Sequence, residues 1–236
     1  MIYIHKTKPS DLLLHFIEQE KKRSNNHPTY TSLQSDPAYK ELRKQLCIEQ
    51  RNLCCYCMQI ISPENSILEH FLPESIFAEE QTNYYNLYLA CKSSCGKTPK
   101  QQHCDVVKGN YLIAKFIGYK HDGTNKKCQD FFKYNEITGE ILPFGNYKTI
   151  NDYHKNYSDL TTLQKEVLSS IETLNLNTIS LVADRLRFIN TVFQEIEPLL
   201  NDKEKLEALL NEYESGNSMK FAGVAIYFIK LRLSRL

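Results

Sequence analysis

Long apolar segments and a secretory start are both absent from this sequence of 236 residues. The longest apolar run, FAGVAIYFI at 221–229, is much shorter than the roughly 20 residues that a membrane-spanning helix needs. The first residues, MIYIHKTKPSDLLLHF, are interrupted by lysine and proline where a signal peptide would be continuously apolar. The sequence therefore predicts a cytoplasmic protein without a membrane partner.

A large net charge is absent as well, since 29 Lys and Arg oppose 28 Asp and Glu. The charge is unevenly distributed, however. Residues 92–133 contain nine lysines and three acidic residues, whereas residues 134–218 contain seven basic and fourteen acidic residues. A basic middle segment favours contact with a polyanion, and a solvated lysine-rich loop explains the same pattern equally well.

Cysteine is plentiful, with eight residues that are mostly clustered. In a reducing cytosol such clusters are more often metal ligands than disulfides. Cys54 and Cys57 form a C-x-x-C pair, with Cys55 as a spare, and a second cluster begins at Cys91 about thirty residues later. Two pairs that bracket a loop of this length predict a structural zinc site. The candidates for its remaining ligand are Cys95, His103 and Cys104.

The coarse pattern of elements predicts a small mixed core between helical flanks. A helix over 37–52 is indicated by Asp36-Pro37 and by apolar residues at helical spacing. Short strands are expected at MQII, SILEHF and NLYLAC, a helix from HCDVVKGNYLIAKFIG, and a hairpin over 130–144. The C-terminal part reads as helical, with Ser158 as a cap, one helix ending at Gly216, and a buried face of Val182, Leu186, Ile189 and Phe193.

Four polar residues lie between or just after the cysteine clusters. Glu69-His70 lies within the run ILEHFLP, Asn86 opens NLYLAC, and Asn110 closes CDVVKGN. A Glu-His pair alone indicates little, because a lone surface histidine is the commoner outcome. The order and spacing of the whole set are more specific.

This set resembles the HNH endonuclease family, the ββα-metal nucleases. The motifs CCYC, LEHFLP, NLYLAC and CDVVKGN carry the resemblance over about sixty residues, 54–110. The chain also resembles one subgroup, the PtuB-type HNH nucleases of Septu and retron anti-phage defence systems. That finer resemblance depends on HCDVVKGN, DFFKYNEITGEILPF, ETLNLN and LVADRLRF.

The resemblance implies an α+β fold, a zinc-stapled ββα-metal core with N- and C-terminal helical extensions. Residues 1–36 would form an N-terminal helix and linker, and residues 37–150 the nuclease core with its hairpin. Residues 151–236 would form a C-terminal helical region that docks a partner.

The resemblance also implies roles for individual residues. His70 matches the general base, Glu69 and Asn110 match the ligands of a catalytic divalent metal, normally Mg²⁺, and Asn86 matches the brace of the histidine loop. Lys108 would contact phosphate. Family members close the zinc frame just before an Asn/Asp-x-x-Lys-Gly segment, which favours Cys54, Cys57, Cys91 and Cys104 as zinc ligands and leaves Cys95 as the alternative.

The function implied is metal-dependent hydrolysis of phosphodiester bonds by the effector of an anti-phage system. DNA is the favoured nucleic acid. The implied partners are a PtuA-type ATPase that controls the nuclease and, in retron systems, a reverse transcriptase with its RNA–DNA product. Two alternatives are an HNH effector that cleaves RNA, such as tRNA, and a non-catalytic zinc-stapled adaptor that binds nucleic acid.

Overall fold

The computed structural model describes residues 1–24, 28–92, 95–114, 127–216 and 219–236, and these form a mixed α+β structure. The helices are α1 (Asp11–Ser24), α2 (Tyr30–Gln34), α3 (Pro37–Glu49), α4 (Asp105–Lys108), α5 (Ile150–Lys155), α6 (Thr162–Thr173), α7 (Ile179–Ile196), α8 (Lys203–Ser215) and α9 (Ala222–Leu233). The strands are β1 (Ser66–His70), β2 (Leu87–Cys91), β3 (Phe132–Tyr134) and β4 (Ile141–Pro143). Short 3-10 turns lie at Ala78–Glu80, Tyr84–Asn86, Pro99–Gln101, Cys128–Phe131, Tyr157–Asp159 and Glu197–Leu199.

The N-terminal helices begin at polar caps. The Ser10 hydroxyl accepts a hydrogen bond from the amide of Leu13, and the Asp36 carboxylate accepts one from the amide of Ala38, with Pro37 in the first turn of α3. The predicted helix over 37–52 is therefore confirmed, although it ends at Glu49. The polar linker predicted before it contains α2, because Leu33 is buried against the core.

The first hairpin pairs β1 with β2 in antiparallel register, with Ser66 opposite Cys91 and His70 opposite Leu87. The strand prediction was right for these two segments and wrong for MQII, where an isolated bridge joins Leu53 to Ile60. The side chain of Gln50 ties α3 to this hairpin, since it accepts from the amide of Leu89 and donates to its carbonyl.

The helix predicted from HCDVVKGNYLIAKFIG is only the four residues of α4. Gly109 ends it with φ +47°, a left-handed conformation that favours glycine. Residues 111–114 continue without regular structure, and the rest of the prediction, from 115 onward, lies outside the described residues.

The predicted hairpin over 130–144 is confirmed as β3 and β4, which pair antiparallel. Its turn needs a glycine for two reasons. Gly139 has φ +76°, and a Cβ there would lie 2.4 Å from the carbonyl oxygen of Val182. The turn therefore packs directly on α7.

The C-terminal helices differ in detail from the prediction. Thr161, not Ser158, caps α6, because its hydroxyl accepts from the amide of Gln164. The buried positions of α7 are Leu181, Arg185, Ile189, Val192 and Ile196, so the predicted face is rotated and Phe193 is 36% exposed. The predicted end of α8 at Gly216 is confirmed.

One buried cluster includes residues from the N-terminal segment, the first hairpin and the C-terminal helices. Most of α9 is buried in it, which explains the apolar run at 221–229 as core. Among the described residues, no helix is both long and apolar enough to cross a membrane.

Candidate metal centre and active site

The sulfur atoms of four cysteines lie within 4.8 Å of one another. Cys54 and Cys57 belong to the turn after α3, Cys91 ends β2, and Cys104 directly precedes α4. The Cys57 and Cys91 sulfurs are 3.6 Å apart, and those of Cys54 and Cys104 are 3.9 Å apart. All four side chains are buried, and within the described ranges they are the one cluster of His, Cys, Asp or Glu side chains with this geometry.

The spacing of this cysteine group suits a tetrahedral ion. Zinc binds thiolates at about 2.3 Å, which places the sulfurs of a tetrahedron about 3.8 Å apart. The distances of 3.6 and 3.9 Å agree with that value. A closed set of four thiolates leaves no position for substrate, so the group can hold a structural metal such as zinc.

Two of the four cysteines are shifted toward the thiolate form that binds metal, whereas burial raises the pKa of Cys57 and of Cys104 well above the usual value. Hydrogen bonding, first from Cys104, lowers the pKa of Cys91 to about 6. Burial opposes ionisation of Cys54, but hydrogen bonds from the neighbouring thiols outweigh it and hold the pKa of Cys54 well below its usual value. The amide of Cys91 donates to the Cys54 sulfur at 3.3 Å. Negative charge is thus stabilised at Cys54 and Cys91, and a bound cation would favour the thiolates of Cys57 and Cys104.

The other candidate ligands lie outside this group. Cys95 is exposed, whereas Cys104 is fully buried beside the other three sulfurs. His103 lies next to the group, with its Nδ1 atom 3.2 Å from the Cys104 sulfur and 3.9 Å from the Cys91 sulfur. Cys55 is buried, and burial raises its pKa well above the usual range, so it stays a protonated thiol.

The cysteine group joins the segments that carry the polar candidates. Cys91 is opposite Ser66 in the hairpin, so it fixes the end of β2 that lies away from His70. Cys104 immediately precedes Asp105, and its amide donates to the carbonyl of Leu174 at 2.9 Å. A metal bound by the four sulfurs therefore holds the start of α4 against the first hairpin.

Glu69 is buried on the side of β1 that faces α4. Its exposed fraction is 2%, and its Oε1 atom is 2.7 Å from the Lys108 ammonium and accepts from the Tyr56 hydroxyl at 2.6 Å. Burial raises the pKa of the Glu69 carboxyl well above its usual range. A hydrogen bond with Asp105 raises that pKa further, while the charge of Lys108 opposes the shift.

Asp105 is the residue that sequence reasoning missed. It is half-buried in the first turn of α4, and its carboxyl lies close enough to that of Glu69 to raise the Glu69 pKa. Two neighbouring carboxyl groups supply the oxygen donors that a hard divalent ion prefers. The signal was present in the sequence, since Asp105 opens the Asp-x-x-Lys-Gly segment after Cys104.

His70 follows Glu69 on β1, so its side chain lies on the opposite face of the strand. Its Nε2 atom is 2.9 Å from the carbonyl oxygen of Gln81. A carbonyl can only accept, so Nε2 carries the proton and Nδ1 of the neutral ring keeps its lone pair. The ring of Tyr30 contacts the imidazole edge-on at 4.8 Å between centroids. The histidine is therefore held in one tautomer and one orientation.

Asn86 is buried and ties together the loop that follows His70. Its side chain accepts from the amide of Leu72 at 2.7 Å and donates to the carbonyls of Leu72 and Glu80 at 3.0 and 3.1 Å. Its backbone carbonyl accepts from the amide of Phe71. These bonds close the loop immediately beyond His70.

The structure places Asn110 at the surface and Lys108 in the interior. Asn110 is exposed and lies beyond the end of α4. Lys108 is 1% exposed, and its ammonium donates to the carbonyl of His70 at 2.9 Å as well as pairing with Glu69. Lys108 thus clamps the end of β1 from inside the protein.

No protein-family model matches this chain. The chain is similar to a protein of Escherichia coli named "Retron Ec83 putative HNH endonuclease". The two are 27% identical over 198 residues, which cover 74% of this chain and 73% of that relative. The name of the relative supports the HNH resemblance and a retron context.

Proposed function

We propose that the chain is a metal-dependent HNH endonuclease that hydrolyses phosphodiester bonds of nucleic acid. The observation that carries this proposal is the end of β1, where the buried Glu69 carboxyl lies near that of the half-buried Asp105 on one face and a fixed imidazole lies on the other. Similarity to a relative named as an HNH endonuclease supports it.

His70 acts as the general base in this proposal. Hydrolysis needs a water molecule that loses its proton as it attacks phosphorus, and imidazole is the side chain that exchanges protons near neutral pH. The Gln81 carbonyl holds the proton on Nε2, which leaves Nδ1 to accept the proton of the water. Tyr30 and the loop closed by Asn86 keep the ring in place.

Glu69 and Asp105 are the proposed ligands of the catalytic ion. A divalent ion such as Mg²⁺, when bound, stabilises negative charge on the phosphate and the leaving oxygen. The effect of Asp105 on the pKa of Glu69, which needs the two carboxyl groups to be close, supports this pairing. Two earlier expectations stay predictions: the pairing of Glu69 with Asn110 and the phosphate contact of Lys108. Neither gains support from the structure, since Asn110 is exposed beyond α4 and Lys108 is buried. Lys108 instead positions Glu69 and the backbone of His70.

The test is cleavage of labelled DNA and RNA, including tRNA, by the purified protein and by any complex that co-purifies with it. We expect cleavage in the presence of Mg²⁺ and no cleavage after a short treatment with EDTA. The zinc content is measured after this treatment to verify that the structural metal remains. Binding of nucleic acid without cleavage in any metal would contradict the nuclease and favour the adaptor. Cleavage of RNA alone would make the chain an RNA-cleaving HNH effector.

The biological setting is proposed on the retron context of the relative and the PtuB-type resemblance. In this setting the chain is the effector of an anti-phage system, and residues 151–236 dock a PtuA-type ATPase that controls it. A reverse transcriptase with its RNA–DNA product would complete a retron complex. Co-purification with a neighbouring ATPase supports the setting, whereas a monomer with full, unregulated nuclease activity would contradict it.

A further inference from the structure

A pocket of about 380 Å³ lies between α3 and the end of the first hairpin that is remote from His70. Four cationic side chains line it: Lys40, Arg43, Lys44 and Lys92. Glu64 is the acidic residue of its lining, and Glu41 lies 3.8 Å from the Lys44 ammonium. Cations exceed carboxylates here, although the chain as a whole is nearly neutral. Such a local excess attracts a polyanion.

The pocket and His70 belong to the same face of β1. Ser66 and His70 are four residues apart in the strand, so their side chains project from one face. Arg43 donates to the hydroxyl of Ser66 at 3.1 Å and to its carbonyl at 2.9 Å, which fixes the pocket at the Ser66 end. The strand separates the two sites by about 13 Å, at 3.3–3.4 Å per residue.

Two tyrosines connect the pocket to the histidine. The Tyr30 ring contacts the His70 imidazole, and its hydroxyl lies 3.3 Å from that of Tyr39. Tyr39 lines the pocket, and its hydroxyl accepts from Arg43 at 3.1 Å. Both rings are only half-buried. Neighbouring aromatic and cationic side chains of this kind suit the bases and phosphates of a nucleic-acid strand.

We infer that this pocket binds the phosphodiester backbone of the substrate strand about four nucleotides from the bond that is cleaved. In a stacked nucleic-acid strand the rise along the helix axis is about 3.4 Å per nucleotide, so a separation of about 13 Å corresponds to about four nucleotides. Lys40, Lys44 and Lys92 are exposed and contact the phosphates, while Arg43 holds the floor of the pocket through Ser66. The inference rests on the proposed nuclease function, because it assigns the strand that reaches His70.

The test compares two triple variants in the H70A background, so that the nucleic acid stays intact. The pocket variant is K40Q/K44Q/K92Q, and the matched control is K148Q/K203Q/K205Q, whose lysines are exposed and do not line the pocket. The Kd values of labelled single-stranded and duplex oligonucleotides, both DNA and RNA, are measured by anisotropy at several salt concentrations. The measurement with single strands distinguishes a loose strand from a duplex as the ligand.

Each phosphate contact on a single strand contributes about 0.7 to the slope of log Kd against log salt concentration. Because the pocket variant lacks three such contacts, we expect its slope to be smaller by about 2. If the affinities converge at 1 M salt, the loss at 0.1 M is about a hundredfold. The control variant should match H70A. Equal slopes and Kd values for both triple variants would overturn the inference, as would a failure of H70A to bind any of these oligonucleotides.

A second measurement avoids substitution within the pocket. Acetylation of lysines by acetic anhydride is read by mass spectrometry with and without a bound oligonucleotide. Protection of Lys40, Lys44 and Lys92 relative to Lys203 and Lys205 supports the inference, and equal protection overturns it. Cleavage by the native protein is assayed separately. Cleavage combined with binding that does not depend on the pocket would contradict this inference but not the nuclease proposal. Pocket-dependent binding without cleavage fails the nuclease proposal and supports the pocket.

Discussion

At the scale of single residues, the proposed metal site depends on which residue binds the ion together with Glu69. Asp105 is adjacent to Cys104, so its position is fixed by the cysteine group, whereas Asn110 follows Gly109 beyond the helix. The sequence motif contained both residues, and spacing alone could not separate them. The choice follows from the length of α4, because Gly109 ends it before Asn110 is reached.

Asp105→Asn and Asn110→Ala form a matched pair that tests this choice. We expect Asp105→Asn to lower the cleavage rate about a hundredfold or more, the scale of losing one charged contact to the reacting centre. Asn110→Ala should stay within about threefold of the native rate. The measurement is single-turnover cleavage at saturating Mg²⁺. The opposite ranking would restore Asn110 as the partner of Glu69.

At the scale of elements, α7 holds the second hairpin through a buried arginine. Arg185 is 2% exposed, and it donates to the Gly139 carbonyl and to the Asn177 side chain, both at 2.8 Å. Burial lowers its pKa to about 10, so the guanidinium stays charged at neutral pH. Because an arginine lies on the buried face of α7, the spacing of apolar residues alone predicted a face that is rotated from the one the structure buries.

Replacing Arg185 by alanine should destabilise the protein by about 2–4 kcal/mol, since two charge-assisted hydrogen bonds disappear and a buried carbonyl loses its donor. Arg187→Ala is the control on the same helix, because Arg187 is exposed and its ion pair with Asp184 is worth at most about 1 kcal/mol. Denaturant unfolding measures both. Equal losses for the two variants would show that the buried arginine is not a structural clamp.

The elements that the sequence predicted well have strong local signals. Asp36-Pro37 starts α3, Gly139 fixes the turn of the second hairpin, and Gly216 ends α8. Elements that depend on distant contacts were missed. α2 is stabilised by burial of Leu33, and MQII forms one bridge instead of a strand because residues 54–57 turn around the cysteine group.

The candidate site was predictable to a similar extent. The clustering of Cys54, Cys57, Cys91 and Cys104 agrees with the set that the HNH resemblance favours, whereas spacing alone left Cys95, His103 and Cys104 open. The burial of Lys108 could not be read from the sequence. It arises because α4 packs on β1, where the lysine finds both Glu69 and the His70 carbonyl. A lysine in a glycine-ended segment otherwise suggests an exposed phosphate contact.

At the scale of the whole molecule, the cysteine group connects the knuckle after α3, the first hairpin and α4 in one core. Of the eight cysteines, Cys95 is the exposed one. We therefore expect about one thiol to react with Ellman's reagent in the metal-loaded native protein. Prolonged chelation should release the four clustered thiols and lower Tm, because the free energy of metal binding stabilises the fold.

Zinc released during chelation is measured in the same experiment with a chromophoric chelator, and Cys95→Ser is the control that removes the exposed thiol alone. One zinc ion per chain, appearing together with the four thiols, is the expected result. An unchanged thiol count and Tm after complete chelation would contradict a structural metal in this group.

The central claim is that His70 activates water in a site whose fold is maintained separately by the cysteine group. The most direct measurement compares the single-turnover cleavage rate and zinc content of the native protein, His70→Ala and a surface control, His154→Ala, whose side chain is 49% exposed. The account predicts that His70→Ala loses about 10²–10⁴-fold in rate with its zinc retained, while His154→Ala keeps both. A His70→Ala protein that retains its zinc and cleaves at the native rate would contradict the account.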